Sequence, residues 1–344
     1  MITIKSVLNS SRLQVGEYQK GILGGDRVVL AKAITLAESA LPEDQRLAGE
    51  VLDAVIAHSG NSMRIGITGA PGVGKSTFIE SFGKTLIDSG KKIAVLTIDP
   101  TSQITGGSIL GDKTRMQQLA KDPHAFIRPS PAGHTLGGVS AFTREAILLC
   151  EAAGFDTIIV ETVGTGQSEI AIKSMVDFFL LLMQPGSGDE LQGIKKGIVE
   201  MADAIAITKA DGEQLKHAKS TQADFQHALH LLHAQPSGWV PKVVTCSAIA
   251  SAGLRDILEM IETFKQTLTS TGFFQHHRHH QQAGWFLDHF HYLLSLDPKK
   301  YPAVALAEDD LKDRIRSQKL SPRNAARELL QIYHEAIKNS GPIH

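Results

Sequence analysis

Across the middle of the chain, short apolar runs alternate with stretches whose apolar residues recur at helical spacing. The runs fall at residues 64–68, 93–98, 125–127, 157–160, 178–183, 204–207 and 243–245. Each has strand length and is bounded by turn-forming or polar residues. This alternation predicts an α/β fold, with a mostly parallel sheet covered by helices on both faces. Loops that carry function are then expected at the carboxyl ends of the strands. Residues 1–61 read instead as helical: Asp26 is a candidate cap for a helix with Val29, Leu30, Ala33, Ile34 and Ala37 on one face. From about residue 269 the strand signal stops, and Ser321-Pro322 opens a helix bearing Ala326, Leu329, Leu330, Tyr333 and Ile337. The expected organisation is an N-terminal helical segment (1–61), a central domain (62–268) and a C-terminal helical arm (269–344). Both terminal pieces are too thin for cores of their own, so they need the central domain or a second copy of the chain to pack against.

One loop adds chemistry to this frame. Gly69-Ala70-Pro71-Gly72-Val73-Gly74-Lys75-Ser76-Thr77 matches the phosphate-binding pattern G-x-x-x-x-G-K-[ST] in full, between the first strand and a helix with Phe78, Phe82 and Leu86 on one face. The glycines let Gly72, Val73 and Gly74 present backbone N–H groups to phosphate oxygens, and the helix N-terminus adds a favourable dipole. Lys75 would reach the outer phosphates, Ser76 would hold Mg²⁺, and Thr77 completes the loop. The fold expected is therefore that of a P-loop NTPase.

The base is addressed by Thr208-Lys209-Ala210-Asp211, which follows the sixth run. GTPases commonly carry [NT]-K-x-D here. The Asp carboxylate accepts two hydrogen bonds from the guanine edge, and the Lys stem lies along the ring. Adenine offers one donor where guanine offers two, so ATP would leave a buried Asp211 partly unpaired. Cys246-Ser247-Ala248 after the last strand matches the short loop that also touches guanine, which adds Ser247 and Ala248 to the site. Glu161-Thr162-Val163-Gly164 ends the fourth run in the manner of a D-x-x-G switch, with Glu for Asp. Glu161 would hold a magnesium-bound water, and the Gly164 N–H would sense the γ-phosphate. Asp99 ends the second run and places another carboxylate at the same sheet edge.

Composition narrows the partners. The 344 residues are 42% hydrophobic and 21% charged, with a formal net charge of −1, so no global field draws the chain to nucleic acid or an anionic membrane. The longest apolar stretch, residues 178–183, is far too short to span a bilayer. No basic segment followed by an apolar run opens the chain, so a secretory signal is not expected. Cys150 and Cys246 lie in apolar segments and read as buried thiols of a reducing, cytoplasmic environment.

At this point the chain resembles the methylmalonyl-CoA mutase-associated GTPases of MeaB/ArgK type. The matching stretches include residues 66–78, Asp99-Pro100-Thr101-Ser102, and residues 105–116, with their run Gly107-Ser108-Ile109-Leu110-Gly111-Asp112-Lys113-Thr114-Arg115-Met116. They continue through 126–131, 135–139, 161–169 and 188–198, and so cover most of residues 60–270. The resemblance implies a slow GTPase that binds GTP and GDP with Mg²⁺. It also implies a chaperone that gates cofactor loading and protects an adenosylcobalamin-dependent acyl-CoA mutase, and a homodimer built through the C-terminal arm. By motif it places Asp99, Asp112 and Glu161 around Mg²⁺ and the γ-phosphate, and makes residues 188–196 the switch loop that answers to the mutase. Within that loop, Lys195 or Lys196 would supply positive charge to the γ-phosphate once the mutase orders it. Gln167 orients water or caps a turn.

Two rival readings remain at this level: a P-loop kinase on a small molecule, and a nickel- or other metal-delivery GTPase. The second draws on Gln275-His276-His277-Arg278-His279-His280, since imidazoles bind Zn²⁺ and Ni²⁺. A solvated polar segment on an arm is the expected reading of that patch. His134 is expected to serve loop packing, and Arg144 and Glu145 to lie on a solvated helix face.

Overall fold

The computed structural model describes residues 12–39, 41–99, 116–131, 136–162, 168–187, 196–230 and 236–339. All seven expected strands form: β1 (Met63–Gly69), β2 (Ile93–Asp99), β3 (Ala125–Pro131), β4 (Thr157–Thr162), β5 (Phe178–Met183), β6 (Ala204–Ile207) and β7 (Lys242–Thr245). They make one sheet in the order β3-β2-β4-β1-β5-β6-β7. Every pairing is parallel, so the sheet is wholly and not mostly parallel. β1, β4, β5 and β6 are buried along their whole length, which is why each reads as an unbroken apolar run.

Among the described residues, the α-helices before the sheet are α1 (Val15–Leu23), α2 (Arg27–Ala37) and α3 (Pro42–Val55). Asp26 caps α2 as expected, accepting from the Val28 and Val29 N–H groups at 2.8 and 3.1 Å. Helix α4 (Lys75–Asp88) follows β1, and α5 (Leu136–Ala152) follows β3. The remaining crossovers carry α6 (Ser168–Lys173), α7 (Lys196–Met201) and α8 (Gln214–His230). Beyond β7 come α9 (Leu254–Ser270), α10 (Phe273–Leu296), α11 (Pro302–Arg316) and α12 (Pro322–Asn339). The largest core lies between β1, β4 and β5 and the helices α4 and α9, around Phe78, Phe82, Phe178, Trp239 and Phe264. A second cluster lies between β5–β6 and α8 around Phe225.

The chain divides into two compact units, Met1–Gln282 and Ala283–His344. In the second, α11 and α12 are joined by a two-bonded Arg314–Glu328 ion pair at 2.7 and 3.1 Å, and Tyr301 meets Tyr333 edge-on at 5.6 Å. Much of the apolar surface of this unit is uncovered: Phe286 is 68% and Leu306 76% exposed.

Two expectations fail in the first unit. Arg144 is buried and donates to Ser174 Oγ at 3.3 Å, and Glu145 is half-buried, its carboxyl pushed up to about 7 by desolvation. Helix α5 is covered by α1–α3 on one side and by β2 and β4 on another, so a polar pair on it does not mark a wet face. The His-rich patch is also not wholly solvated. On α10, Phe274, Arg278 and Gln281 are buried, His277 is half-buried, and His276, His279 and His280 are exposed. Arg278 donates to Asp177 Oδ1 and Oδ2 at 2.8 and 2.6 Å, to the Ser62 carbonyl at 2.6 Å, and to the Gly60 carbonyl. Arg64 fills the space beside it and pairs with Glu151 through two bonds of 2.9 and 2.8 Å. Among the described residues no group of three or more His, Cys, Asp or Glu is placed to hold a metal ion, and no helix is long and apolar enough to cross a membrane.

Candidate nucleotide site

The site forms where β1, β4, β5 and β6 end. Register sets the depth of each group: Ile67 pairs with Glu161 and Gly69 with Leu182, while Thr97 of β2 pairs with Glu161. The backbone of Asp99 therefore lies two residues beyond the level of Glu161, at the same sheet edge. Gly69 has no room for a side chain, since a Cβ there would sit 2.6 Å from the Leu182 carbonyl oxygen. Gly74, at φ +99°, holds the left-handed turn that starts α4.

The Lys75 ammonium folds back on its own loop and donates to the Gly69 and Ala70 carbonyls at 2.7 and 3.3 Å. Burial lowers its pKa below the usual lysine range, against the opposing pull of Glu161 and Glu169. Ser76 Oγ lies 3.4 Å from Glu161 Oε1, and Glu161 itself is buried. A hydroxyl beside a buried carboxylate is a set of hard oxygen donors of the kind Mg²⁺ takes, so the residues present fit that ion.

The base side is built from loops that hold one another. Thr208, where Asn is commoner, still ties the phosphate loop down: its hydroxyl is 2.8 Å from the Val73 carbonyl and 3.1 Å from that of Met183. Lys209, in the left-handed region at φ 55°, donates to the Gly72 carbonyl at 2.8 Å. Asp211 accepts from Ser247 Oγ, and the Ala210 N–H reaches the Cys246 carbonyl at 3.0 Å. Gly253 (φ +72°) closes the loop after β7 so tightly that a Cβ would meet the Thr245 carbonyl at 2.3 Å. Between these loops is a cavity of about 300 Å³, lined by Val73, Gly74, Thr77, Thr208, Lys209, Asp211, Ser247 and Ala248, together with Phe78, Gln214 and Ile249. Both cysteines are buried; the Cys246 thiol behind this loop is pushed up to about 12 by desolvation.

The structure thus gathers Gly72, Val73, Gly74, Lys75, Ser76, Thr77, Glu161, Thr208, Lys209, Asp211, Ser247 and Ala248 at one sheet edge. Asp112, Gly164 and Lys195 lie outside the described residues, as do His134 and Gln167. Three residues escaped the sequence reading. Glu169, buried on α6, bears on the charge of Lys75. Gln214 and Ile249 line the cavity, and only their nearness to the T-K-A-D and C-S-A loops hinted at them.

A phosphate loop after the first of seven parallel strands, with a T-K-x-D loop over a base-sized cavity, defines a P-loop GTPase. The comparisons with known proteins name the branch. The family model described as methylmalonyl-CoA mutase-associated GTPase MeaB matches residues 30–295. The chain belongs to this family. It is 46% identical over 311 residues to a probable GTPase of Mycobacterium tuberculosis, covering 90% of this chain and 93% of that one. It is 45% identical over 316 residues to the GTPase ArgK of Escherichia coli, with the same coverage of 90% and 93%. It is also 42% identical over 337 residues to the mouse mitochondrial methylmalonic aciduria type A homolog, covering 93% of this chain and 79% of that one. A crystal structure described as a LAO/AO transport system kinase superposes with a TM-score of 0.72 at 36% identity, covering 97% of this chain and 99% of that one.

Proposed function

We propose that this GTPase acts as a chaperone of an adenosylcobalamin-dependent acyl-CoA mutase, with methylmalonyl-CoA mutase the first candidate. It would gate loading of the cofactor and protect the mutase from inactivation, as a cytoplasmic homodimer. The observation that carries this reading is the family match across residues 30–295, which spans the phosphate loop, the T-K-A-D loop and the segment 188–196. The uncovered apolar face of α10, with Phe286, Leu287, Phe290, Leu293 and Leu294, supports dimerisation through the C-terminal unit. The half-covered apolar stripe of α12, where Leu330 is exposed, supports it too.

In the hydrolysis step the protein's part is positioning and neutralisation of charge. Lys75 exchanges its loop carbonyls for the outer phosphates, and the amides of Gly72, Val73 and Gly74 close around them. Mg²⁺, when bound, would offset phosphate charge; Ser76, Glu161 and Asp99 would hold it directly or through water, and Asp112 joins this proposed set by its family motif alone. Gly164 reports the γ-phosphate. Asp211 reads the guanine edge, with Ser247 orienting its carboxylate and Thr208 and Lys209 fixing the loops on either side. Lys195 or Lys196, at the end of the segment 188–196, would bring positive charge to the γ-phosphate when the mutase binds.

The test is co-elution of the purified chain with the purified mutase of its source organism, with a non-hydrolysable GTP analogue, with GDP and without nucleotide. A complex whose stability changes with the nucleotide is expected. Absence of any complex in all three conditions would overturn the chaperone reading.

A further inference from the structure

We propose that Lys265 is an acylation site: its amine takes a short, uncharged acyl group from an acyl-CoA thioester, and the chain of that group enters a small apolar slot beside it. The site lies at the amino ends of β1 and β4, the opposite edge of the sheet from the phosphate loop. Met63 and Thr157 pair there at the first rung of the two strands. A cavity of about 60 Å³ opens between this rung and the helices α4 and α9. Its apolar walls are the buried side chains of Met63, Ile65, Leu86, Leu258 and Ile261. At about 15 Å³ per water-sized group it has room for about four such groups, roughly a two- to four-carbon chain. The charged groups that line it are Lys91, Asp156, Glu262 and Lys265.

Helix α9 sets the lysine at this slot. Ile261 and Lys265 lie one turn apart and share a face, so the lysine stem continues the apolar wall. Lys265 is half-buried, as is Lys91 just after α4. Among the described residues no carboxylate makes an ion pair with either ammonium. Asp156 is instead fixed to the backbone of Lys92, its carboxylate accepting the N–H at 2.7 Å and its own N–H reaching the carbonyl at 2.8 Å. Burial lowers the Lys265 pKa below the usual lysine range, with Arg278 and Lys91 pushing the same way and Asp177 and Asp156 opposing. A lysine desolvated against an apolar pocket, with cations nearby, is the arrangement that makes an amine nucleophilic. The ammonium first gives one proton to solvent. The neutral amine then attacks the thioester carbonyl, a C–N bond forms, the C–S bond breaks, and CoA leaves as the thiol with the second proton. The amide carries no charge, so the repulsion between Lys265 and Lys91 ends and the acyl chain covers the slot. An anionic chain would meet apolar walls and the carboxylates of Asp156 and Glu262, which selects against it.

The test is incubation of the full chain with propionyl-CoA, and separately with succinyl-CoA, followed over time by peptide mass spectrometry. Exposed Lys32 and Lys219 in the same digest are the standards. Lys265 should gain propionyl at least roughly fivefold faster than either standard. With succinyl-CoA that lead should disappear, because the slot takes no charge. Lys91→Met should slow propionylation of Lys265 by about threefold and raise the pH at which its rate levels off, while the standards keep their rates. Propionylation of Lys265 no faster than that of Lys32 and Lys219 would overturn the proposal. So would an equal lead with succinyl-CoA, or a Lys265 rate that Lys91→Met leaves unaltered.

Discussion

Replacing Arg278 by Met should cost far more than its place in a histidine-rich polar stretch suggests. The guanidinium is 3% exposed and makes four hydrogen bonds: two to the Asp177 carboxylate, one to the Ser62 carbonyl and one to the Gly60 carbonyl. It also lies 4.7 Å from the centroid of the Phe274 ring. Residues 60–62 lead into β1, and Asp177 immediately precedes β5, so one side chain holds the starts of two central strands. Methionine preserves most of the stem but leaves the Asp177 carboxylate with the Arg64 N–H, at 2.8 Å, and no cation in direct contact. Breaking one half of a buried pair in this way typically costs about 3–5 kcal/mol. A surface ion pair would be worth about 0–1 kcal/mol. On the usual scaling for a domain of this size, the larger figure lowers the melting temperature by roughly 10 °C. The assay is thermal unfolding of the full chain, followed with the double variant Arg278→Met/Asp177→Asn. Removing the stranded charge should recover about 1–2 kcal/mol of the loss. A melting temperature within about 2 °C of wild type for the single variant would show that Arg278 is only surface charge.

Glu145→Gln should change how stability depends on pH. The carboxyl titrates at about 7 in the fold against 4.5 when free, so the folded state binds the extra proton between those values. The stability this contributes is full below pH 4.5 and is lost as pH rises through 7, and the variant should be more stable than wild type at pH 8 by roughly 1–3 kcal/mol. Urea midpoints at pH 5 and pH 8 measure it, and parallel curves for the two proteins would refute it. Asp211→Asn should weaken GTP by roughly 2–4 kcal/mol and improve binding of xanthosine nucleotides, whose edge complements Asn. Unchanged GTP affinity would remove Asp211 from base recognition. Lys75→Ala should abolish turnover in a protein that keeps its circular dichroism spectrum, and full activity would rule out the phosphate-loop chemistry.

The sheet was legible because β1, β4, β5 and β6 are buried along their whole length and read as apolar runs between turn signals, while the half-buried β7 still shows a short apolar run. The phosphate loop and the T-K-A-D loop were legible because their chemistry restricts residue types: only glycine tolerates the backbone of Gly74 and the close approach at Gly69. Arg144, Glu145 and Arg278 were misread for one reason. A charged residue on an amphipathic helix implies solvent only when nothing lies over that face, and both α5 and the first turns of α10 have protein there. Thr208 kept the loop contact in place of Asn because its hydroxyl reaches the Val73 carbonyl. Ile249 left no mark in the pattern, since a single apolar residue in a loop carries no period.

The most direct test of the central claim is GTP turnover by the full chain with and without its cognate adenosylcobalamin-dependent mutase, with ATP in place of GTP as the control. Stimulation of GTP hydrolysis by at least tenfold is expected, equivalent to about 1.4 kcal/mol in barrier height, with no comparable use of ATP. GTP hydrolysis that the mutase leaves unchanged, or ATP consumed at the same rate, would contradict it.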